Sequence, residues 1–141
     1  MLKKTIKYTD YNGEERVEDF YFNLNKTELA ELELSFPGGI ANKINSIQQK
    51  KDVPEMARFF QLFIEKAYGE KSDDGKHFRK GSERFEEFKN TEAYNQLIIE
   101  LMENPKSTLD FFVAIFPEDL RKDLNEKAND PEVQKLLKQN A

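Results

Sequence analysis

The chain contains no cysteine, no tryptophan and a single histidine among its 141 residues. Without cysteine there can be no disulfide scaffold, no thiolate zinc site, no iron–sulfur cluster and no cysteine nucleophile. Long apolar runs are missing as well. The densest, Phe111 to Phe116, is six residues long, against the roughly 20 that a membrane-spanning helix needs. The opening Met1-Leu2-Lys3-Lys4 brings positive charge with no apolar run behind it, so no signal peptide and a cytoplasmic location are expected. Nor does one sign of charge dominate. The 22 basic and 27 acidic residues are interspersed, for a formal net charge of −5. That leaves no electrostatic footprint for nucleic acid.

What is present is charge and phenylalanine. Charged residues make up 35% of the chain, against about 25% in an average globular domain. The core must therefore lean on large side chains, and 12 Phe supply them, each able to bury on the order of 150–250 Å². The length suits a single domain. Residues 1–117 read as one α+β domain and 118–141 as a charged helical extension.

Residues 2–24 read as a β-hairpin. Leu2, Ile6 and Tyr8 share one parity, as do Phe20, Phe22 and Leu24, and Asp10-Tyr11-Asn12-Gly13-Glu14 between them is a turn signal. A two-residue Asn12-Gly13 loop would set Phe20 opposite Thr5 and Ile6 opposite Asp19. Pairing Ile6 with Phe20, Leu2 with Leu24 and Lys7 with Asp19 instead gathers the apolar residues on one face and matches charges on the other. A loop of three or five residues is therefore expected.

After residue 25 the pattern is helical. Asn25 and Glu28 have capping-box spacing and open a helix through Leu29, Leu32 and Leu34, which Phe36-Pro37-Gly38-Gly39 breaks. A second helix over about 40–50 carries Ile40, Ile44 and Ile47. Asp52 caps a third, with Pro54 in its first turn and Met56, Phe59, Phe60, Phe63 and Ala67 along a helical stripe that Gly69 ends. Glu70–Gly81 reads as a polar loop. Ser82–Lys89 is a short helix with Phe85 and Phe88. Thr91–Glu103 is amphipathic through Tyr94, Leu97, Ile98, Leu101 and Met102. Asn104-Pro105 starts a helix that Pro117 stops. The fold class is α+β, a hairpin followed by five to seven helices.

The search for chemistry in this pattern finds no enzyme signature. His77 sits among Lys76, Arg79 and Lys80 with no second metal ligand nearby, and reads as a solvated loop histidine. Setting Gly75 as the central glycine of a calcium loop puts Glu70, Ser72 and Asp74 at the first, third and fifth positions. The twelfth position, which must supply a bidentate carboxylate, is then Gly81, and the reading fails. Gly38-Gly39 and Gly75…Gly81 match neither a P-loop nor a dinucleotide fingerprint. The acids Glu14, Glu15, Glu18 and Asp19 read as a charged hairpin surface opposite Lys3, Lys4 and Lys7. No catalytic residue, metal site or cofactor is expected.

One segment stays open. Phe111 to Phe116 is apolar around most of its helix, broader than the stripe of a surface helix. Either it is the central core helix, or Phe111, Phe112, Ile115 and Phe116 form a patch for another protein. The hairpin offers a second route to a partner. An isolated two-stranded sheet has two open edges, which helices could cover or another chain could pair with.

Ala67-Tyr68-Gly69-Glu70-Lys71-Ser72-Asp73-Asp74-Gly75-Lys76-His77-Phe78, Phe85-Glu86-Glu87-Phe88-Lys89-Asn90-Thr91-Glu92-Ala93-Tyr94-Asn95-Gln96-Leu97 and, more loosely, the run from Glu100-Leu101 to Phe116-Pro117 resemble stretches of one group of phage proteins. These are the tail assembly chaperones of long-tailed phages and prophages of Gram-positive bacteria. The resemblance covers about residues 56–117. It implies a non-enzymatic, self-associating holdase that binds the tape measure protein before tail tube subunits polymerise, with the major tail protein as a possible second partner. It also implies action in the cytoplasm of the bacterial host and absence from the mature virion. A small protein-binding regulator of phage or host and a structural tail or connector subunit are the competing readings.

Overall fold

In the computed structural model, which describes residues 1–117, the elements follow the order β1 (Leu2–Thr9), β2 (Glu15–Phe22), α1 (Lys26–Ser35), α2 (Gly39–Lys50), α3 (Val53–Ala67), β3 (Tyr68–Lys71), β4 (Phe78–Arg79), α4 (Ser82–Lys89), α5 (Glu92–Glu103) and α6 (Pro105–Ala114). The expected α+β class, an N-terminal hairpin followed by helices, is what forms. The expected extension over 118–141 lies outside the described residues.

The hairpin turns as its loop dictates, but its register differs from the expected one. The strands pair Leu2 with Phe22, Lys4 with Phe20 and Ile6 with Glu18, a slip of two residues. The loop is the cause. The Asp10 N–H donates to the Glu14 carbonyl at 2.9 Å and the Gly13 N–H to the Asp10 carbonyl at 3.0 Å, leaving three residues between Asp10 and Glu14. Gly13 takes the left-handed conformation, φ 81°, that closes such a loop. The Asp10 carboxylate then accepts from the Asn12 and Glu14 N–H groups and from Arg16 Nε. Because the slip is even, the same residues still face inward. The expected Lys7–Asp19 pair is lost: Lys7 faces Val17, and Asp19 instead accepts from the Thr5 hydroxyl at 2.6 Å. Leu24, expected opposite Leu2, leaves the strand and is fully buried.

Among the described residues the sheet has four strands, in the order β1-β2-β3-β4, not two. The segment expected to be a polar loop contributes β3 and β4, which pair Glu70 with Arg79 and Lys71 with Phe78. β3 joins β2 through Tyr21–Gly69 and Phe22–Tyr68. Strands of four and two residues are too short to show alternation in sequence. Gly69 does not end α3, which stops at Ala67. It lies under the Phe78 ring, where a side chain would not fit. The loop that follows is tied by Ser72 and Asp74: the Ser72 hydroxyl donates to Asp74 at 2.7 Å, and Asp74 accepts from the Lys76 N–H. These are turn-forming roles.

The expected helix starts form: Asn25 and Glu28 make a reciprocal capping box, Asp52 caps α3 and Asn104 caps α6, while Thr91, expected inside its helix, stands just before α5 as its cap. In α1, however, only Leu32 is buried, while Leu34 is 86% exposed. The core is aromatic. Phe22, fully buried on β2, sits 5.0 Å from the Phe111 ring and 5.9 Å from Phe88, and so links sheet, α4 and α6. The Leu24 N–H donates to the Ile115 carbonyl at 2.8 Å, locking the exit of β2 to the end of α6.

Lys80 is a second lock. Its ammonium donates to the carbonyls of Asn23 and Lys66 and to both oxygens of Glu28, at 2.5–2.8 Å. The start of α1, the end of α3 and the approach to α4 are thereby held at one point. Burial lowers the Lys80 pKa from its ordinary value, partly opposed by the Glu28 carboxylate.

Candidate functional site

A surface groove of about 360 Å³ opens between α2 and α3 on one side and α5 and α6 on the other. Its positions follow from helix periodicity. Consecutive Phe59 and Phe60 on α3 point about 100° apart. Phe59 enters the core, and Phe60 forms part of the groove wall. On α5, Leu97 is fully buried, whereas Ile98 and Leu101 are half-buried along the groove and Met102 stands 76% exposed at its mouth. Val53, 59% exposed at the start of α3, marks the opposite rim.

The structure divides the four residues singled out on the last helix. Phe111, Ile115 and Phe116 are buried core residues, with Phe111 also showing one edge to the groove. Phe112 is half-buried and lines the groove directly. Its ring lies 5.2 Å from Phe60, nearly perpendicular, and 4.8 Å from Phe63. Of the four, Phe112 alone is half-buried instead of buried. The sequence reading missed Phe60, Met56, Ile98, Leu101 and Met102 as groove residues. A signal was available: on both α3 and α5 the apolar positions span more than one helical face.

Of the polar groups that line the groove, Thr108, Asp52 and the Tyr94–Gln61 pair have partners within the chain. The Thr108 hydroxyl donates to the Leu101 carbonyl at 2.5 Å. Asp52 caps α3 through the Glu55 N–H at 3.1 Å. Burial raises the Tyr94 hydroxyl pKa above its ordinary value, while a hydrogen bond with Gln61 pulls the other way. The other shifted groups have structural causes. The Asp10 carboxyl is held low by Arg16 and two backbone N–H groups, and Asp74 by Ser72 and the Lys76 N–H. The Tyr68 hydroxyl is pushed up to about 12 by burial, then by Glu70 and Glu87. His77 is exposed in the β3–β4 loop. Among the described residues no group of three or more His, Asp or Glu could hold a metal ion.

An apolar groove lined by aromatic rings and two methionines suits the side chains of another polypeptide. Methionine adapts to irregular apolar partners because it is unbranched and polarisable. The fold and site thus define a small α+β protein with an open, largely apolar groove on its surface. The chain belongs to the phage tail assembly chaperone family, whose model matches residues 1–141. No curated protein and no solved structure gives a match. Among the described residues no helix is long and apolar enough to cross a membrane.

Proposed function

We propose that this chain is a non-enzymatic holdase that binds the tape measure protein and keeps it soluble during tail morphogenesis, with the groove taking apolar side chains of that client. The observation that carries this reading is the open groove between α3, α5 and α6, with Phe112 on its wall and Met102 and Val53 exposed at its rim. Family membership supports the chaperone role, and the groove supplies a surface for it. A long helical client presents apolar residues at i, i+3, i+4 and i+7, the pattern that helix-in-groove recognition reads. The charged surface keeps a many-copy coating protein soluble. In this reading the protein serves a phage or prophage of a Gram-positive host and acts in the host cytoplasm. Its copies associate along the client, the major tail protein is a possible second partner, and the protein is missing from the finished virion.

Co-expression with the cognate tape measure protein tests the reading. The client should stay in the soluble fraction with the parent chain and precipitate with Met102→Asp, whose exposed position leaves folding intact. Equal client solubility with and without the chaperone would overturn it. Mass spectrometry of purified particles separates this reading from a structural tail subunit, which would be present.

A further inference from the structure

The sheet has two open edges, and they carry opposite charge. β1 is one edge, and among the described residues no strand lies beyond it. On the other side of the hairpin β3 pairs with β2 at Tyr21 and Phe22, which leaves Glu15 to Phe20 without a second strand among the described residues. The hairpin's hydrogen bonds decide which groups these edges present. The Asp10 N–H bonds the Glu14 carbonyl, and bonded pairs alternate along an antiparallel ladder. Even-numbered residues therefore bond across the hairpin, and odd-numbered ones turn their N–H and C=O groups outward. The bond from the Asn23 N–H to the Ala67 carbonyl, 2.8 Å long on the outer side of β2, follows the same parity. β1 thus offers the backbone of Lys3, Thr5, Lys7 and Thr9, and β2 that of Glu15, Val17 and Asp19. Beside the first edge a cleft of about 430 Å³ separates Thr5 and Lys7 from Ile99 and Glu103 of α5, so the helix leaves room along the strand.

Charge selects the strand that fits each edge. β1 holds Lys3, Lys4 and Lys7 and no acid, whereas Glu15 to Asp19 hold three acids and one base, Arg16. Two β1 edges paired about Thr5 would set Lys3 opposite Lys7, and two β2 edges paired about Val17 would set Glu15 opposite Asp19. Like charges directly opposite are destabilising, and edge lysines discourage strand addition in general. Pairing β1 antiparallel with the β2 edge of a second copy reverses the sign. With Thr5 opposite Val17 of the next copy, Lys7 meets its Glu15 and Lys3 its Asp19. The outward-turned groups of both strands then bond, and the antiparallel sheet continues.

We propose that copies of this chain join head to tail through these edges, β1 of one adding to β2 of the next. Such a contact is heterologous: each added copy brings a fresh basic and a fresh acidic edge, so growth runs on into a ring or an open filament. For its consequence, the coating of a long client, the inference rests on the holdase reading; the contact itself does not.

The absence of native cysteine makes the test clean. Full-length Thr5→Cys and Val17→Cys chains, each substituted at an exposed position, are mixed in equal amounts and oxidised. The mixed disulfide should outweigh the two like dimers roughly tenfold, the order that two pairs of matched against opposed charge supply. Lys3→Glu with Lys7→Glu in the Thr5→Cys chain should abolish this excess, and Glu15→Lys with Asp19→Lys in the Val17→Cys chain should then restore it. A random distribution of dimers, a majority of like dimers, or an excess that survives the first reversal would overturn the proposal. No client is present, so failure here leaves client binding standing. A client that precipitates although the copies still cross-link would count against the holdase reading alone.

Discussion

Replacing Gly69 by alanine should destabilise the protein through a single steric cause. A methyl carbon at this position would lie 2.6 Å from Phe78 Cε2, 2.8 Å from Phe78 Cζ and 3.0 Å from the Arg79 carbonyl oxygen. Gly69 is not in a left-handed conformation, so alanine carries no dihedral penalty and would otherwise be a mild gain of about 0.4–1 kcal/mol through the unfolded chain. The Phe78 ring is half-exposed and can swing away, but the Arg79 carbonyl belongs to β4 and is held by its pairing with Glu70. Overpacking of this kind costs about 1–3 kcal/mol, leaving a net loss of about 1–2 kcal/mol. In a chain of this length that lowers the melting midpoint by roughly 4–8 °C. Thermal and urea unfolding followed by circular dichroism measure it. Adding Phe78→Ala should recover part of the loss, with a coupling of about 1 kcal/mol between the two sites. A Gly69→Ala protein that melts at or above the parent would refute the reasoning, and with it the close approach of β3 to β4.

Three further outcomes are expected. Lys80→Met keeps the aliphatic stem but leaves the Glu28 carboxylate and the Asn23 and Lys66 carbonyls without their shared donor. It should cost about 1–3 kcal/mol in urea unfolding, and an unchanged midpoint would show that the lock contributes nothing. The Tyr68 hydroxyl ionises near 10 in the unfolded chain and about 12 in the folded one, so its share of stability is present below pH 10 and lost as pH rises toward 12. Tyr68→Phe keeps the ring stacked on Phe88 and should flatten the stability–pH curve in that window; an unaltered slope would count against the burial argument. Phe63→Ala, at a fully buried site, should cost about 3–5 kcal/mol, whereas Met102→Ala at the exposed rim should stay within about 0.5 kcal/mol. Similar losses for both would contradict the division of core from contact surface.

The helices were legible because their signals are local: a cap, a proline in the first turn and a stripe along one face. Asn25–Glu28, Asp52–Pro54 and Asn104–Pro105 each state a helix start within four residues. The hairpin was legible in its turn and faces but not in its register. Two registers two residues apart place the same side chains inward, and the choice fell to the hydrogen bonds of Asp10 and Gly13. β3 and β4 were illegible because such short strands acquire meaning only when β2 is beside them. The same limit hid the groove. The breadth of the apolar face on α3 and on α5 is a local signal, but that Phe60, Ile98 and Met102 converge depends on how the two helices pack. The run Phe111–Phe116 left core and patch open together, and the structure buries Phe111, Ile115 and Phe116 and leaves Phe112, Val113 and Ala114 half-buried.

The hydrogen bond from Leu24 to Ile115 joins positions 91 residues apart, both fully buried. Chains are synthesised from the N-terminus at about 5–20 residues per second, so roughly 5–18 s pass between the making of one partner and the other. Throughout that interval the hairpin can turn and α1 to α3 can form, but Phe22 and Leu24 have nothing from α6 to close over them. The core is completed only when the α6 segment clears the ribosome. The nascent chaperone is thus itself an exposed apolar polypeptide for most of its synthesis, and truncation anywhere before residue 115 should leave Phe22 and Leu24 uncovered.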